Sequence, residues 1–516
     1  MRAFIYLLIL LFCACGAKNN PATGAVLLEE NTTHLQNPKL APFYHGVASG
    51  DPYNDSFVLW TRVTPKVETD KISVAWEVAL DKNFQQIVKS GKYLTTPKRD
   101  YTVKVVVNGL QPATKYFYRF KSFGTYSKTG TSKTLPDKVQ NPIHLAFVSC
   151  SNIEFGYFNA YAAIAKDKVD AVIHLGDYIY EYGPDKYGDP NFFRKNIPAK
   201  EIITLQDYRD RYSQYRLDED LQNVHGSVPF INIWDDHEIT NNAYVSGAQN
   251  HQANEGNYEV RKLAAKQAFY EWLPIREGKT HYRKFKFGKT LDLIMLDERL
   301  AGRTMQPDSI NDPRRNAEGH YLLGEKQMKW LITSLKNSEA TWKVIGNQVM
   351  FSYTNWGYPG FKYNMDAWDG YPNDQKQLTN AVTKNNIENL VFVTGDTHRS
   401  WAFEATSDPL NSYNKNTGEG AIGIEFGVTS ITSGNADERF SVEEVLEHEK
   451  EISKSAINPH LKYVNMRDHG YLKLIITPND VTAEYKIVPT LKERTSKVTI
   501  DKSFKVNKGT TKLIEN

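Results

Sequence analysis

The sequence predicts a mixed α/β (α+β) fold, in which a small fibronectin-like all-β domain precedes a larger domain of alternating strands and helices. Three observations carry this. Residues 41–137 hold β-rich or alternating runs separated by turns. After Pro136 strands alternate with helical stretches, the pattern of βαβ units. Four apolar runs in that second part end in residues able to bind metal, and α/β sheets place their chemistry at such strand ends.

Met1–Gly16 reads as a targeting segment. Arg2 gives a positive start and Ala3–Phe12 a short apolar stretch, too short to span a bilayer. The junction Phe12-Cys13-Ala14-Cys15-Gly16 resembles a bacterial lipoprotein signal, with Ala14 as the small residue before the modified cysteine. Residues 1–15 are therefore expected to be a signal peptide, cleaved before Cys15, with Cys15 lipidated. An ordinary secretory peptide is the alternative, and Phe12 departs from the leucine usual at the first position of the motif. Residues 16–40, polar from Lys18 to Gln36, are expected to form a flexible tether. The chain has 3 cysteines, and two lie in the signal. Cys150 is then the sole thiol of the mature body: a buried small hydrophobe or, at its strand end, a metal thiolate.

In the first domain, residues 58–60, 72–78, 102–107 and 116–120 read as strands. Leu110-Gln111-Pro112-Ala113-Thr114-Lys115-Tyr116 looks like the turn before a sandwich strand whose tyrosine makes a corner contact. In the second domain, 138–500, strands are expected at 144–149, 170–175, 228–234, 342–346, 389–394, 422–428, 470–476 and 481–488. Helices are expected at 157–168, 206–223, 259–273, 324–336 and 375–384, with a hairpin from 281–287 and 290–296. Residues 501–516 read as a basic, polar, solvated tail.

The chemistry sits at the strand ends. Leu175-Gly176-Asp177-Tyr178-Ile179-Tyr180 closes one apolar run, and Gly176 lets the chain turn there. Asp177 is suited to bridge two ions, one oxygen to each. Tyr180 as a phenolate ligand points to iron(III), since a free tyrosine keeps its proton to about pH 10. Asp235-Asp236-His237-Glu238 crowds three acids and a histidine onto one loop, an arrangement that repels itself unless a cation intervenes. Asp236 is the expected ligand, His237 the proton donor or phosphate ligand, and Glu238 the anchor of the loop. Asp235 is ambiguous between a direct role and loop support. Asp396 and His398 share one face of an extended segment at spacing i, i+2. Arg399 is either a bidentate phosphate ligand or a surface ion-pair residue. Several cations at such a centre would bind phosphate oxygens and activate water. No Ser-His-Asp set, Gly-x-Ser-x-Gly, Walker loop or GxGxxG is evident. The balance of 63 basic against 60 acidic residues, net +3, gives no nucleic-acid signature.

These blocks resemble the PhoD-like family of alkaline phosphatases, with His45-Gly46-Val47-Ala48-Ser49-Gly50-Asp51-Pro52 and Leu59-Trp60-Thr61-Arg62 as its amino-terminal signature. Ser149-Cys150, His174 to Tyr182, Trp234 to Glu238, Trp368-Asp369-Gly370-Tyr371-Pro372 and Gly395-Asp396-Thr397-His398 resemble its catalytic blocks. The resemblance implies a metallophosphoesterase core, a two-sheet β-sandwich flanked by helices and akin to purple acid phosphatases. It implies phosphomonoester or phosphodiester hydrolysis by a metal-activated water or oxide, with iron(III) and one or two calcium ions. By carry-over, Cys150, Asp177, Tyr180 and His398 would surround iron. Asp236 and Asp396 would serve calcium with Asp177 bridging, and His237, Asp235 and Arg399 would act in catalysis. Asn347 sits where related enzymes have a histidine ligand; it or Gln348 would give an amide oxygen to calcium, or serve as a structural amide. Many members carry a twin-arginine export signal; this chain has only Arg2, which implies export unfolded and metal uptake outside the cytoplasm.

The expected protein is thus a monomeric exported lipoprotein, in the periplasm or at the cell surface, touching membrane only through its lipid and acting on small phosphoesters. A phospholipase D-like phosphodiesterase is the alternative activity. A non-catalytic binding lipoprotein is the alternative of another class, disfavoured by the intact ligand set.

Overall fold

The computed structural model of the protein describes Leu28 and residues 30–516 apart from 359. The expected signal peptide, Cys15 and most of the tether lie outside the described residues.

Two large sheets stack face to face. The ten-stranded sheet runs Leu513–Glu515, Thr499–Asn507, Asp480–Ile487, Gly470–Ile476, Ile143–Val148, Ala171–His174, Phe230–Asn232, Val47–Gly50, Ser56–Arg62, Thr102–Asn108. The seven-stranded sheet runs Arg283–Phe287, Leu291–Met295, Trp342–Asn347, Leu390–Thr394, Gly423–Gly427, Ser400–Ala405, Leu461–Asn465. Successive side chains of a strand face opposite ways, and the core divides accordingly. Leu145, Phe147 and Ile173 of the first sheet meet Leu293, Met295, Val344, Val391 and Val393 of the second in a central layer. Ala146, Val148 and Val172 face outward onto helices Asn159–Ile164, Leu205–Arg216 and Tyr258–Trp272. Ile294, Ile345 and Phe392 face outward onto Gly324–Lys336, Pro372–Lys384 and Val442–Ile452. This is the expected two-sheet sandwich flanked by helices. Strands covered on both faces must be apolar throughout, which explains the uninterrupted runs in the sequence.

Within each sheet the central strands are parallel: Ile143–Val148, Ala171–His174 and Phe230–Asn232 in one, Leu291–Met295, Trp342–Asn347 and Leu390–Thr394 in the other. Parallel neighbours deliver their carboxyl ends to the same edge, and that edge carries the site.

The amino-terminal region is a sandwich, as expected, but it shares a sheet with the rest. Its core includes Phe57, Leu59, Val74, Val78, Val103 and Phe120. That core lies between three strands of the ten-stranded sheet and a five-stranded sheet built on Ile87–Thr95, Ile72–Ala79 and Lys115–Ser122. Gly50 pairs in parallel with Phe230, so the boundary expected at 137/138 does not separate sheets. A Cβ on Gly50 would lie 2.2 Å from the Pro274 carbonyl oxygen; only glycine allows this join. The expected corner contact is present: Tyr116 Oη accepts from Gln111 N at 2.8 Å.

Four expectations are corrected. The helix expected at 206–223 is two, Leu205–Arg216 and Glu219–Ser227, because Asp218 breaks out to accept from Asp220 N and Leu221 N as an N-cap. The helix expected at 157–168 is only Asn159–Ile164. The tail 501–516 is not solvated: Thr499–Asn507 and Leu513–Glu515 close the ten-stranded sheet and bury Phe504, Val506 and Leu513. The tether 16–40 is docked from residue 30 onward. There Glu30 pairs with Arg62 at 2.5 Å, Asn31 Nδ2 donates to Asp210 at 2.5 Å, and Thr32 Oγ1 lies 2.8 Å from Ser213 Oγ. Among the described residues no helix is long and apolar enough to cross a membrane.

Candidate active site

Each expected block emerges just past a strand. Cys150 follows Ile143–Val148, Asp177 follows Ala171–His174, Asp235 to Glu238 follow Phe230–Asn232, and Asp396 and His398 follow Leu390–Thr394. Cys150, Asp177, Asp396 and His398 have φ of 60°, 56°, 59° and 61°. A left-handed conformation costs an L residue about 1–2 kcal/mol. Strain gathered at one point and held by packed strand ends is a mark of a functional site. Gly176, at φ 112°, permits the approach of two of these loops, because a Cβ there would lie 2.3 Å from Asp235 Cβ.

Asp177 is the centre. Its Oδ2 is 3.5 Å from Cys150 Sγ and 3.2 Å from Tyr180 Oη, and its Oδ1 accepts from His237 N at 3.3 Å. Ligand atoms of Cys150, Asp177 and His398 lie within 4.8 Å of one another, and so do those of Asp177, Asp236 and His237. Asp177 belongs to both groups. Tyr180 Oη is 3.2 Å from His398 Nε2 and accepts from Ser433 Oγ at 2.7 Å. His398 Nδ1 faces the Gly434 carbonyl at 2.8 Å; a carbonyl only accepts, so Nδ1 carries the proton and Nε2 keeps its lone pair. Burial holds His398 down to about 3, a neutral imidazole.

The electrostatics fit a cation centre. Burial, and then nearby Asp236 and Asp235 against the pull of His237, pushes Asp177 far above the carboxylate range. Asp396 is raised likewise by burial and by Asp235 and Asp366. Burial and then Asp177 raise Cys150 and Tyr180. These groups are charged together only with positive charge between them. Thiol, phenol, imidazole and carboxylate groups at one point, with further carboxylate oxygens on the Asp236 side, suit a metal centre.

His237 sits under Glu181. Its Nδ1 is 2.6 Å from Glu181 Oε2, and Glu181 also accepts from Thr240, Asn241 and Asn250. Burial opposes the charged imidazole, but Asp236, Glu181 and Asp177 outweigh it, so His237 is held protonated. Glu238 anchors the loop as expected: Oε2 accepts from Asp177 N at 3.0 Å and Asp235 N at 2.9 Å, and Oε1 from Tyr178 N at 2.7 Å.

Sequence reasoning missed Arg299. It is fully buried and reaches four acids: Nε to Asp235 at 2.5 Å, Nη1 to Asp366 at 2.8 Å, and Nη2 to Asp396 at 3.4 Å and Asp236 at 3.7 Å. Together with burial, this gives opposite pulls on two adjacent acids. Arg299 and His237 hold Asp236 below the usual range despite burial, whereas burial leaves Asp235 at about 6. Asp235, expected in catalysis, has Oδ1 on Arg299 and Oδ2 buried without a partner, the contacts of loop support. A signal for Arg299 existed: the run Leu291–Leu296 ends in Asp297-Glu298-Arg299, a fifth strand end of the same kind. Glu181 and Asp366 gave no comparable signal.

Asn347 is spent on structure. Its Oδ1 accepts from Trp368 Nε1 at 3.2 Å, and its Nδ2 donates to the Val349 carbonyl and to Thr394 Oγ1. Trp368, from another expected block, also donates to Glu298 Oε1 at 2.9 Å.

Arg399 makes no ion pair among the described residues. It lies 5.2 Å over the Trp356 ring and donates from Nη1 to the Thr397 carbonyl at 3.2 Å. It lines a cleft of about 650 Å³ that also takes in Asp396 and His398.

Comparison with known proteins agrees with this geometry. The family model described as PhoD-like phosphatase matches residues 145–485, and that described as PhoD-like phosphatase, N-terminal domain, matches residues 30–136. Alkaline phosphatase D of Bacillus subtilis (strain 168) is 37% identical over 505 residues, covering 92% of this chain and 82% of that protein. A solved structure titled "Structure of PhoD" superposes with a TM-score of 0.81 at 35% identity, covering 93% of each chain. On these matches the chain belongs to the PhoD-like phosphatase family and is a phosphoester-hydrolysing enzyme.

Proposed function

We propose that the enzyme is a metal-dependent phosphomonoesterase and phosphodiesterase that releases phosphate from organic esters outside the cytoplasm, loaded with iron(III) and one or two calcium ions. One observation carries this reading: Asp177 belongs at once to the Cys150–His398 group and to the Asp236–His237 group. Cys150, Asp177, Tyr180 and His398 would hold iron, and Asp236 and Asp396 the calcium side. When bound, such cations polarise phosphate oxygens and lower the pKa of water.

The chain's own groups supply the rest. His237, held by Glu181 and kept protonated by the acids around it, presents Nε2 as the proton donor to the leaving oxygen. Arg399 lines the cleft and makes no ion pair among the described residues, which leaves its guanidinium open to an anionic group of the substrate. Arg299 and Glu238 fix the acids in place. Attachment through a lipid on Cys15 would keep the enzyme at a membrane surface.

The test is hydrolysis of a chromogenic phosphomonoester and a diester before and after chelation. Turnover should vanish on chelation and return with iron and calcium. Undiminished turnover by protein shown to be metal-free would refute the reading.

A further inference from the structure

The cleft is larger and differently lined than a phosphate alone requires. At about 650 Å³ it falls in the ~300–1,000 Å³ range that accepts a whole small molecule. Lys186, Arg399 and Arg439 line it, and none of them makes an ion pair among the described residues. Arg399 is the telling one: its Nε is buried without a hydrogen-bond partner among the described residues. A guanidinium left in that state is costly unless an anion completes it. The acids of the lining are already engaged. Asp396 is held by Arg299, and Glu438 lies 3.5 Å from His469 and accepts from Asn435 N.

The same cleft carries aromatic surface left exposed by the described residues. Phe361 and Phe440 are 45% and 47% exposed, far more than aromatic rings normally are. A phosphate has no use for them, whereas a flat ring does.

We propose that this cleft is a leaving-group subsite, and that it selects phosphoesters whose leaving group joins a flat aromatic ring to a second anionic group, the chemistry of a nucleotide. The second anion sits on Arg399 and Arg439, and the ring lies against Phe361 and Phe440. This rests on the hydrolase reading above and adds the substrate class to it.

The experiment compares adenosine 3′,5′-bisphosphate, adenosine 5′-monophosphate and glycerol 2-phosphate as substrates of the metal-loaded enzyme and of two variants. Arg439→Gln and Phe440→Ala alter exposed side chains that are not among the expected metal ligands. Arg439→Gln should lower kcat/KM for the bisphosphate about fivefold, the scale of one exposed charge pair, and leave the other two substrates within twofold. Phe440→Ala should lower kcat/KM about tenfold for both adenosine esters, as lost base stacking does, and spare glycerol 2-phosphate. Equal losses on all three substrates, or none, would overturn the subsite. If none of the three is hydrolysed by the metal-loaded enzyme, the hydrolase reading fails separately. Calorimetric binding of the bisphosphate then decides the subsite: binding weakened in both variants upholds it, and absent or unchanged binding overturns it.

Discussion

At the residue scale, most of the candidate centre was legible because its chemistry is local in sequence. Gly176-Asp177, Asp235 to Glu238, and Asp396 to His398 each declare themselves within a few positions, and the structure brings them onto one point around Asp177. Glu181 and Asp366 were not legible, and Arg299, although it stands at a strand end, shows its role only through its partners; the partners of all three lie more than fifty positions away. Asp235, left open between ligand and loop support, has Arg299 as its neighbour in space. Arg299, itself fully buried, balances four acids, of which Asp235 and Asp236 are buried and Asp396 opens partly onto the cleft. Arg299→Met should therefore cost about 3–5 kcal/mol in a denaturant titration of metal-free protein, the price of stranding a buried charge set. A loss below 1 kcal/mol would show that the acids protonate and manage without it.

At the scale of elements, the apolar runs gave the central strands correctly, and the helices Tyr258–Trp272, Gly324–Lys336 and Pro372–Lys384 fall within a few residues of expectation. Amphipathic edges were harder. Thr499–Asn507 reads as basic because it carries Lys502 and Lys505, both half-buried, yet Phe504 and Val506 flank Lys505 and are 2% and 1% exposed. An edge strand shows one face to water, and composition averaged over both faces hides the other. The helix Val442–Ile452 also went unread, although Ser441 and Glu444 form a capping box at its start. If the tail completes the sheet, Phe504→Ala should destabilise by about 3 kcal/mol, whereas Lys502→Ala should stay within about 0.5 kcal/mol. Thermal or denaturant unfolding of the pair distinguishes a structural edge from a solvated tail.

At the scale of the whole molecule, the fold is two sheets that point their strand ends at one another, with an amino-terminal sandwich joined through Gly50 and Phe230. The sequence reading placed both parts but not the shared sheet, because a single parallel bridge leaves no periodic signal. The interior also makes a prediction about pH. Burial lowers His45, His225 and His281 well below the ordinary histidine value, and His174 and His460 to about 3. The folded state thus keeps these imidazoles neutral where the unfolded chain, at about 6.5, takes up protons. Their contribution is complete above pH 6.5 and is lost as pH falls below it, each by up to about 1.4 kcal/mol per pH unit. Tm should accordingly drop steeply between pH 6.5 and 5; a flat profile there would mean that these sites take up protons without unfolding.

The central claim is that one carboxylate, Asp177, joins two cation sites into a single hydrolytic centre. Elemental analysis of the wild type and of Asp177→Asn, each shown folded by circular dichroism, tests it most directly. The account predicts near-stoichiometric iron with calcium in the wild type, and loss of both from the folded variant together with its turnover. A folded Asp177→Asn protein that retains its full metal content and hydrolyses a phosphomonoester at the wild-type rate would contradict it.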